Sequence, residues 1–130
     1  MSNKGSLNRQ VKQCLVVCTV IVLAACSALD PTVTMVKGGT IQSCPNTTVE
    51  EMVDGFMGSP SWESGVTEDQ EIFVNVSGDI SYADKPVRAV VQFMIDKENE
   101  TFQYNAFELN GIPQNHFIAA ELLEKMCDSA

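Results

Sequence analysis

The sequence predicts an α+β domain in which an antiparallel sheet of three to four strands carries an N-terminal and a C-terminal helix on one face. Three observations support this prediction: a capped amphipathic run near residue 48, alternating apolar runs between residues 72 and 109, and a second amphipathic run near the C-terminus. Short links join the alternating runs, which is typical of antiparallel sheets. The predicted order is therefore helix, strands, helix.

The first helix is predicted over residues 48–57. Thr48 and Glu51 have the spacing of a capping box, in which a hydroxyl and a carboxylate satisfy two free backbone N–H groups. The apolar residues that follow share one helical face: Val49, Met52, Val53 and Phe56. Gly58 suits the position after the helix end, and Pro60 prevents the helix from continuing.

Two alternating runs predict the centre of the sheet. Residues 72–78 form one strand, and residues 87–95 form the strongest strand. One face of that second strand is wholly apolar: Val87, Ala89, Val91, Phe93 and Ile95. The polar turn that follows and the alternating run 101–109 complete a hairpin. The last helix is predicted over residues 115–126, with its apolar stripe formed by Ile118, Leu122, Leu123 and Met126.

Two segments have weaker patterns. Residues 27–46 are expected to form a tether because prolines and glycines interrupt them, although residues 33–38 are alternatively a short edge strand. Trp62 is expected to anchor the core through its large apolar area, and the alternative is an exposed binding side chain.

The N-terminus has the pattern of an export signal. Lys4, Arg9 and Lys12 precede an apolar run at residues 14–23, and small residues follow it. A transmembrane anchor is the alternative, but the run is shorter than the roughly 20 residues that span a bilayer. We therefore predict that residues 1–25 are a signal peptide.

The four residues Leu23, Ala24, Ala25 and Cys26 resemble the lipobox of bacterial lipoproteins. The resemblance implies that the first three are recognised by the signal peptidase and that Cys26 is lipidated and becomes the new N-terminus. Acyl chains would hold the protein in the membrane, since each buried CH₂ contributes about 0.8 kcal/mol. Ser27 in the next position implies the outer membrane. The implied organisation is a signal peptide at 1–25, a lipidated tether at 26–46 and one α+β domain at 47–130.

The charge of the predicted mature chain is strongly negative. It holds all 17 acidic residues but only five basic ones, which gives a net charge of −12. Such a surface repels phosphate backbones, so nucleic acid is not an expected partner. A cationic protein partner is one interpretation of the charge, and plain solubility is the other.

Two cysteines remain after processing, Cys44 and Cys127. An even pair in an exported chain predicts a disulfide, with two buried thiols as the alternative. Zinc is not expected, because these cysteines and the single histidine, His116, lack metal-site spacing. No cofactor and no catalysis are expected, since His116 has no nucleophile beside it in the sequence.

The body of the chain, from Thr48 to Met126, resembles a family of small bacterial lipoproteins whose function is not established. The runs that carry this resemblance are "TVEEMVDGFMGSPSWES", "VNVSGDI", "AVVQFMI", "FELNG" and "LLEKM". The element order also resembles the outer-membrane assembly lipoprotein BamE and the β-lactamase-inhibitor-protein repeat. The closing helix departs from both, so neither implies binding residues for this chain.

These features predict a lipid-anchored, non-catalytic binding or scaffold module with an envelope protein as its partner. The alternative is an inhibitor or phage-exclusion lipoprotein that blocks an envelope enzyme or an incoming phage component. The expected contact surface is the sheet face opposite the helices, where Phe73, Val90 and Met94 would be partly exposed. Alternatively, the segment 27–46 folds over this face and buries it.

Overall fold

The computed structural model describes residues 30–130. The helices in this part of the chain are α1 (Pro31–Gly38), α2 (Val49–Phe56) and α3 (His116–Ser129). The strands are β1 (Gly58–Val66), β2 (Ile72–Tyr82), β3 (Lys85–Asp96), β4 (Thr101–Leu109) and β5 (Ile112–Pro113). The predicted signal peptide, the lipobox and Ser27 lie outside the described residues.

The strands form one antiparallel sheet in the order β1-β2-β3-β4-β5, so each strand pairs with its neighbour in sequence. The α+β class is confirmed. The predicted numbers of elements were slightly too low. The prediction was three to four strands and two helices, and the described residues hold five strands and three helices. Tight turns allow consecutive strands to pair. Ala83 and Asp84 join β2 to β3, Asn110 and Gly111 join β4 to β5, and all four residues have positive φ values. Pairs of positive φ suit two-residue hairpins, whose twist matches that of the strands.

The helices pack on a single face of the sheet. Buried residues alternate along β2 as Val74, Val76 and Ile80, and along β3 as Ala89, Val91 and Phe93. Those residues form one cluster with apolar side chains of all three helices. The core is therefore a layer between sheet and helices, and the opposite sheet face is separate from it.

Helix α1 corrects the predicted tether and the predicted edge strand. Pro31 occupies its first position, where a missing N–H group costs nothing. Val33 and Val36 are buried in the core, and Lys37 lies over the Trp62 ring, 5.3 Å from its centroid. The folded domain therefore begins near residue 31 rather than 47. Trp62 is partly buried and packs against the core, as expected of an anchor.

Helix α2 begins where the capping box predicts. The Thr48 backbone N–H donates to Glu51 Oε1 at 2.9 Å, and the Glu51 N–H donates to Thr48 Oγ1 at 3.1 Å. Met52 and Val53 are buried on its inner face. The predicted span of 48–57 is confirmed to within one residue at each end.

Strand β1 was not predicted, because glycine, serine and proline dominate its first half. Its register against β2 shifts between Gly58 and Ser61, where Ser59 has a φ of 51°. Such a bulge places an extra residue in one strand and bends it. From Ser61 to Val66 the pairing is regular, and it places Trp62 opposite Val76 on the core face.

Helix α3 closes the domain and is joined to the N-terminal segment. The Asn115 side chain caps it by accepting from the Ile118 N–H at 3.0 Å. The predicted disulfide is present, linking Cys44 to Cys127 across 83 residues of sequence. The end of α3 also touches α2, since a Cβ at Gly55 would collide with the Ser129 carbonyl. Helix α3 is therefore attached to the N-terminal segment by the disulfide and to α2 by the contact at its C-terminal end.

Candidate functional site

The candidate site is the open face, defined as the side of strands β1 to β4 opposite the helices. The register assigns its central residues: Asn75, Ser77 and Asp79 of β2, Arg88, Val90, Gln92 and Met94 of β3, and Gln103, Ala106 and Glu108 of β4. No helix among residues 30–130 packs on this side. The alternative that residues 27–46 cover the face is therefore wrong for the described residues from 30 onward.

The three predicted apolar residues do not form one patch. Phe73 and Met94 are directly opposite each other in the β2–β3 register. Val90 lies opposite Ser77, and Gln92 separates it from Met94 along β3. All three side chains are partly buried. The structure thus brings two of them together at one end of the face and leaves the third near the middle of β3.

The Phe73 ring contacts a neighbouring residue of the sheet, Gly65. Gly65 pairs with it across β1 and β2, and a Cβ at Gly65 would lie 2.5 Å from the tip of the Phe73 ring. The ring therefore lies over the glycine and shields its backbone, a known compensation for glycine in strands. This contact holds the Phe73 ring in place beside its register partner Met94.

A row of polar side chains crosses the centre of the open face. Glu63, Asn75 and Gln92 are register partners on three adjacent strands. Asn105 lies at a β4 bulge, and its Nδ2 donates to Gln92 Oε1 at 2.8 Å. The Asn75 Oδ1 atom is buried and accepts no hydrogen bond in the structure. The exposed members of the row, Glu63 and Asn105, are the ones that a partner can reach.

Sequence reasoning missed this polar row. The alternation of β2 and β3 indicated which residues share a face, but it gave no reason to group Asn75 with Gln92. The bulge at Asn105 shifts the β3–β4 register between Gln92 and Phe93. Nothing in the sequence marks that bulge, because no glycine or proline stands there.

One cation belongs to the open face. Arg88 Nη1 lies 3.3 Å from Asp79 Oδ1, and Nη2 donates to Ser77 Oγ at 3.2 Å. Both charged side chains are about half exposed or more, so the pair contributes at most about 1 kcal/mol to folding. Its effect is mainly to hold the guanidinium flat against β2, where it remains accessible to a partner.

The hairpin tip beside the open face is closed by its own hydrogen bonds. Asp96 accepts from the Asn99 N–H at 3.2 Å and from Asn99 Nδ2 at 2.7 Å. The Asn99 side chain, chiefly, lowers the pKa of Asp96 from its usual 3.8. The carboxylate therefore serves as a turn acceptor.

The remaining candidate residues lie elsewhere. His116 is exposed at the start of α3 and stacks on Phe117, with ring centroids 4.2 Å apart. Cys44 is buried, and Cys127 is partly buried beside it in the disulfide.

Within residues 30–130, no group of three or more histidine, cysteine or acidic side chains is placed to hold a metal ion. None of the helices in this range is long and apolar enough to cross a bilayer.

Comparisons with known proteins add no relative. No protein-family description matches the chain, and neither a curated protein nor a solved structure matches it. The likenesses to small lipoproteins, to BamE and to the β-lactamase-inhibitor-protein repeat therefore stay predictions from the sequence.

Proposed function

We propose that this protein is a non-catalytic binding or scaffold module of the bacterial cell envelope, anchored in the outer membrane through lipid on Cys26. The observation that supports the binding role is the open face. It combines an apolar pair, Phe73 and Met94, with the exposed polar side chains Glu63 and Asn105, on a side of the sheet where no described helix packs. Apolar side chains beside accessible polar ones are typical of contact surfaces.

The charge supports a protein partner with basic residues. The domain carries a net charge of −12, whereas the open face holds its own cation, Arg88, in a pair with Asp79. Long-range attraction would increase the association rate of a cationic partner, and the neutral centre of the face would make the close contacts.

Aspartate substitutions test the role of the face. Val90→Asp and Met94→Asp should each abolish cross-linking of the anchored protein to its envelope partner, with an unchanged melting temperature. Ala120→Asp is the matched control. Ala120 is exposed on α3, which packs on the other face of the sheet. A loss of roughly 2 kcal/mol or more in unfolding free energy would instead show that the face is interior.

The alternative role is inhibition of an envelope enzyme or exclusion of a phage component, and the negative charge favours it equally if that target is basic. The two roles differ in what binding does to the partner. Once the partner is identified, loss of its activity on addition of the soluble domain would assign inhibition. Unchanged activity would assign scaffolding.

A further inference from the structure

A groove lies beside the outer edge of β4 and meets the open face at Gln103. One wall is the segment Thr40–Ser43, and the other wall is formed by Phe102 and Tyr104. Leu123 of α3 forms the floor, and the groove has a volume of about 550 Å³. Phe102 is held in place because its ring packs on Gly39 and meets Phe93 edge-on at 5.7 Å.

The edge of β4 next to this groove is unpaired. Strand β5 pairs only with Glu108 and Leu109, and Gln114 donates to the Phe107 carbonyl. Among the described residues, nothing pairs with the outer edge of Thr101–Tyr104. The bulge at Asn105 ends this regular stretch. Alternate residues of an edge strand direct their N–H and C=O groups outward, so two of these four residues offer main-chain partners.

This edge lacks the protection that strand edges usually carry. Charged residues and prolines are common on exposed edges because they prevent pairing with other chains. Residues 101–107 contain neither, although the domain holds 17 acidic residues. Strand β1, at the other side of the sheet, carries Pro60 and Glu63. The two edges of the sheet therefore differ in sequence, and the β4 edge adjoins a groove with an aromatic wall.

We propose that this groove binds an extended, uncharged stretch of a basic polypeptide, which adds to the edge of β4 as a further antiparallel strand. The spacing of these main-chain groups matches that of another extended main chain, and alternate side chains of an added strand would enter the groove. No charged residue lines the groove, so the inserted side chains are apolar or neutral.

The net charge of −12 selects between possible occupants. Pairing of β4 with β4 of a second copy would bring two strongly negative domains together, which electrostatic repulsion opposes. A stretch flanked by lysine or arginine is instead attracted. The proposal deepens the proposed binding role by naming the kind of partner segment, and it concerns a surface other than the open face.

A peptide pool tests this proposal on the folded, disulfide-bonded domain. The probe is a set of lysine-flanked hexapeptides whose four central positions vary among uncharged residues. The tightest member is then compared with a version methylated on alternate backbone nitrogens, which keeps every side chain and every charge. We expect at least tenfold weaker binding of the methylated peptide, and slower amide hydrogen exchange confined to Thr101–Tyr104 with the parent peptide.

Two variants complete the test. Gln42→Lys places a charge in the wall of the groove and should weaken binding at least tenfold, whereas Ser61→Lys, an exposed position on β1, should leave it unchanged. The proposal is overturned if no peptide binds, if both peptides bind equally, or if exchange slows elsewhere. Self-association that slows exchange in β4 without peptide also overturns it, in favour of a second copy. The open face is tested by a separate experiment, the loss of partner cross-linking in the Val90→Asp variant. None of the peptide results bears on that experiment.

Discussion

Removal of the Cys44–Cys127 disulfide should cause a large loss of stability. The bridge closes a loop across 83 residues, nearly the whole described domain. In the chain-entropy treatment, a loop of this length restricts the unfolded chain by about 4.5 kcal/mol at 25 °C. Domains of this size are stable by only about 5–15 kcal/mol in total, so the expected loss is a large fraction of the stability.

The assay is urea unfolding of the double variant Cys44→Ala/Cys127→Ala beside the oxidised wild type. Unfolding of the wild type in a reductant is the matched control, because it removes the bridge without changing a side chain. Both should lose about 4 kcal/mol, with a small extra loss in the variant from the cavity at Cys44, which is 1% exposed. A loss below about 1 kcal/mol in both, with the bridge present in oxidised protein by mass spectrometry, would refute the loop-closure reasoning.

Three further predictions concern single residues. Thr48→Ala removes one half of the capping box and should lower the unfolding free energy by about 1 kcal/mol in the same urea assay. Ala83→Gly should raise it by about 0.5–1 kcal/mol, since Ala83 has a φ of 52°, where glycine is unstrained; a loss would show that Ala83 makes contacts worth more than this strain. Cys26→Ser should abolish labelling by a radioactive fatty acid and leave uncleaved precursor in the inner membrane, and normal processing would contradict the lipobox interpretation.

The regular elements were predictable because one face of each is apolar at the expected period. Helix α2 has both a capping box and an apolar stripe, and strand β3 alternates over its whole length. The disulfide was predictable for a different reason. Only two cysteines remain beyond the predicted lipidation site, so the pairing was the one available, and the structure brings them together.

Helix α1 was not predictable from its own residues. Val33, Thr34 and Val36 are β-branched and favour strands, so the local pattern suggested an edge strand. Packing of two buried valines against the rest of the core outweighs that weak preference. Strand β1 is the opposite case, because neighbouring β2 supplies the main-chain partners that a sequence rich in glycine and serine does not indicate.

The candidate site was predictable only in part. Alternation assigned Phe73, Val90 and Met94 to the correct face, but face membership does not give distance along the strands. The register of β2 against β3 separates Val90 from the other two and places the amide row between them. Register depends on turn geometry and on bulges, and here the Asn105 bulge has no sequence signal.

Photo-cross-linking in living cells tests the binding role most directly. A photoreactive amino acid replaces Val90 on the open face in the lipid-anchored protein, and the same residue replaces Ala120 on α3 as the control. We expect illumination to produce a discrete cross-linked envelope protein from position 90 and none from position 120. No product from position 90, or the same products from both positions, would contradict the proposal that the open face binds a partner.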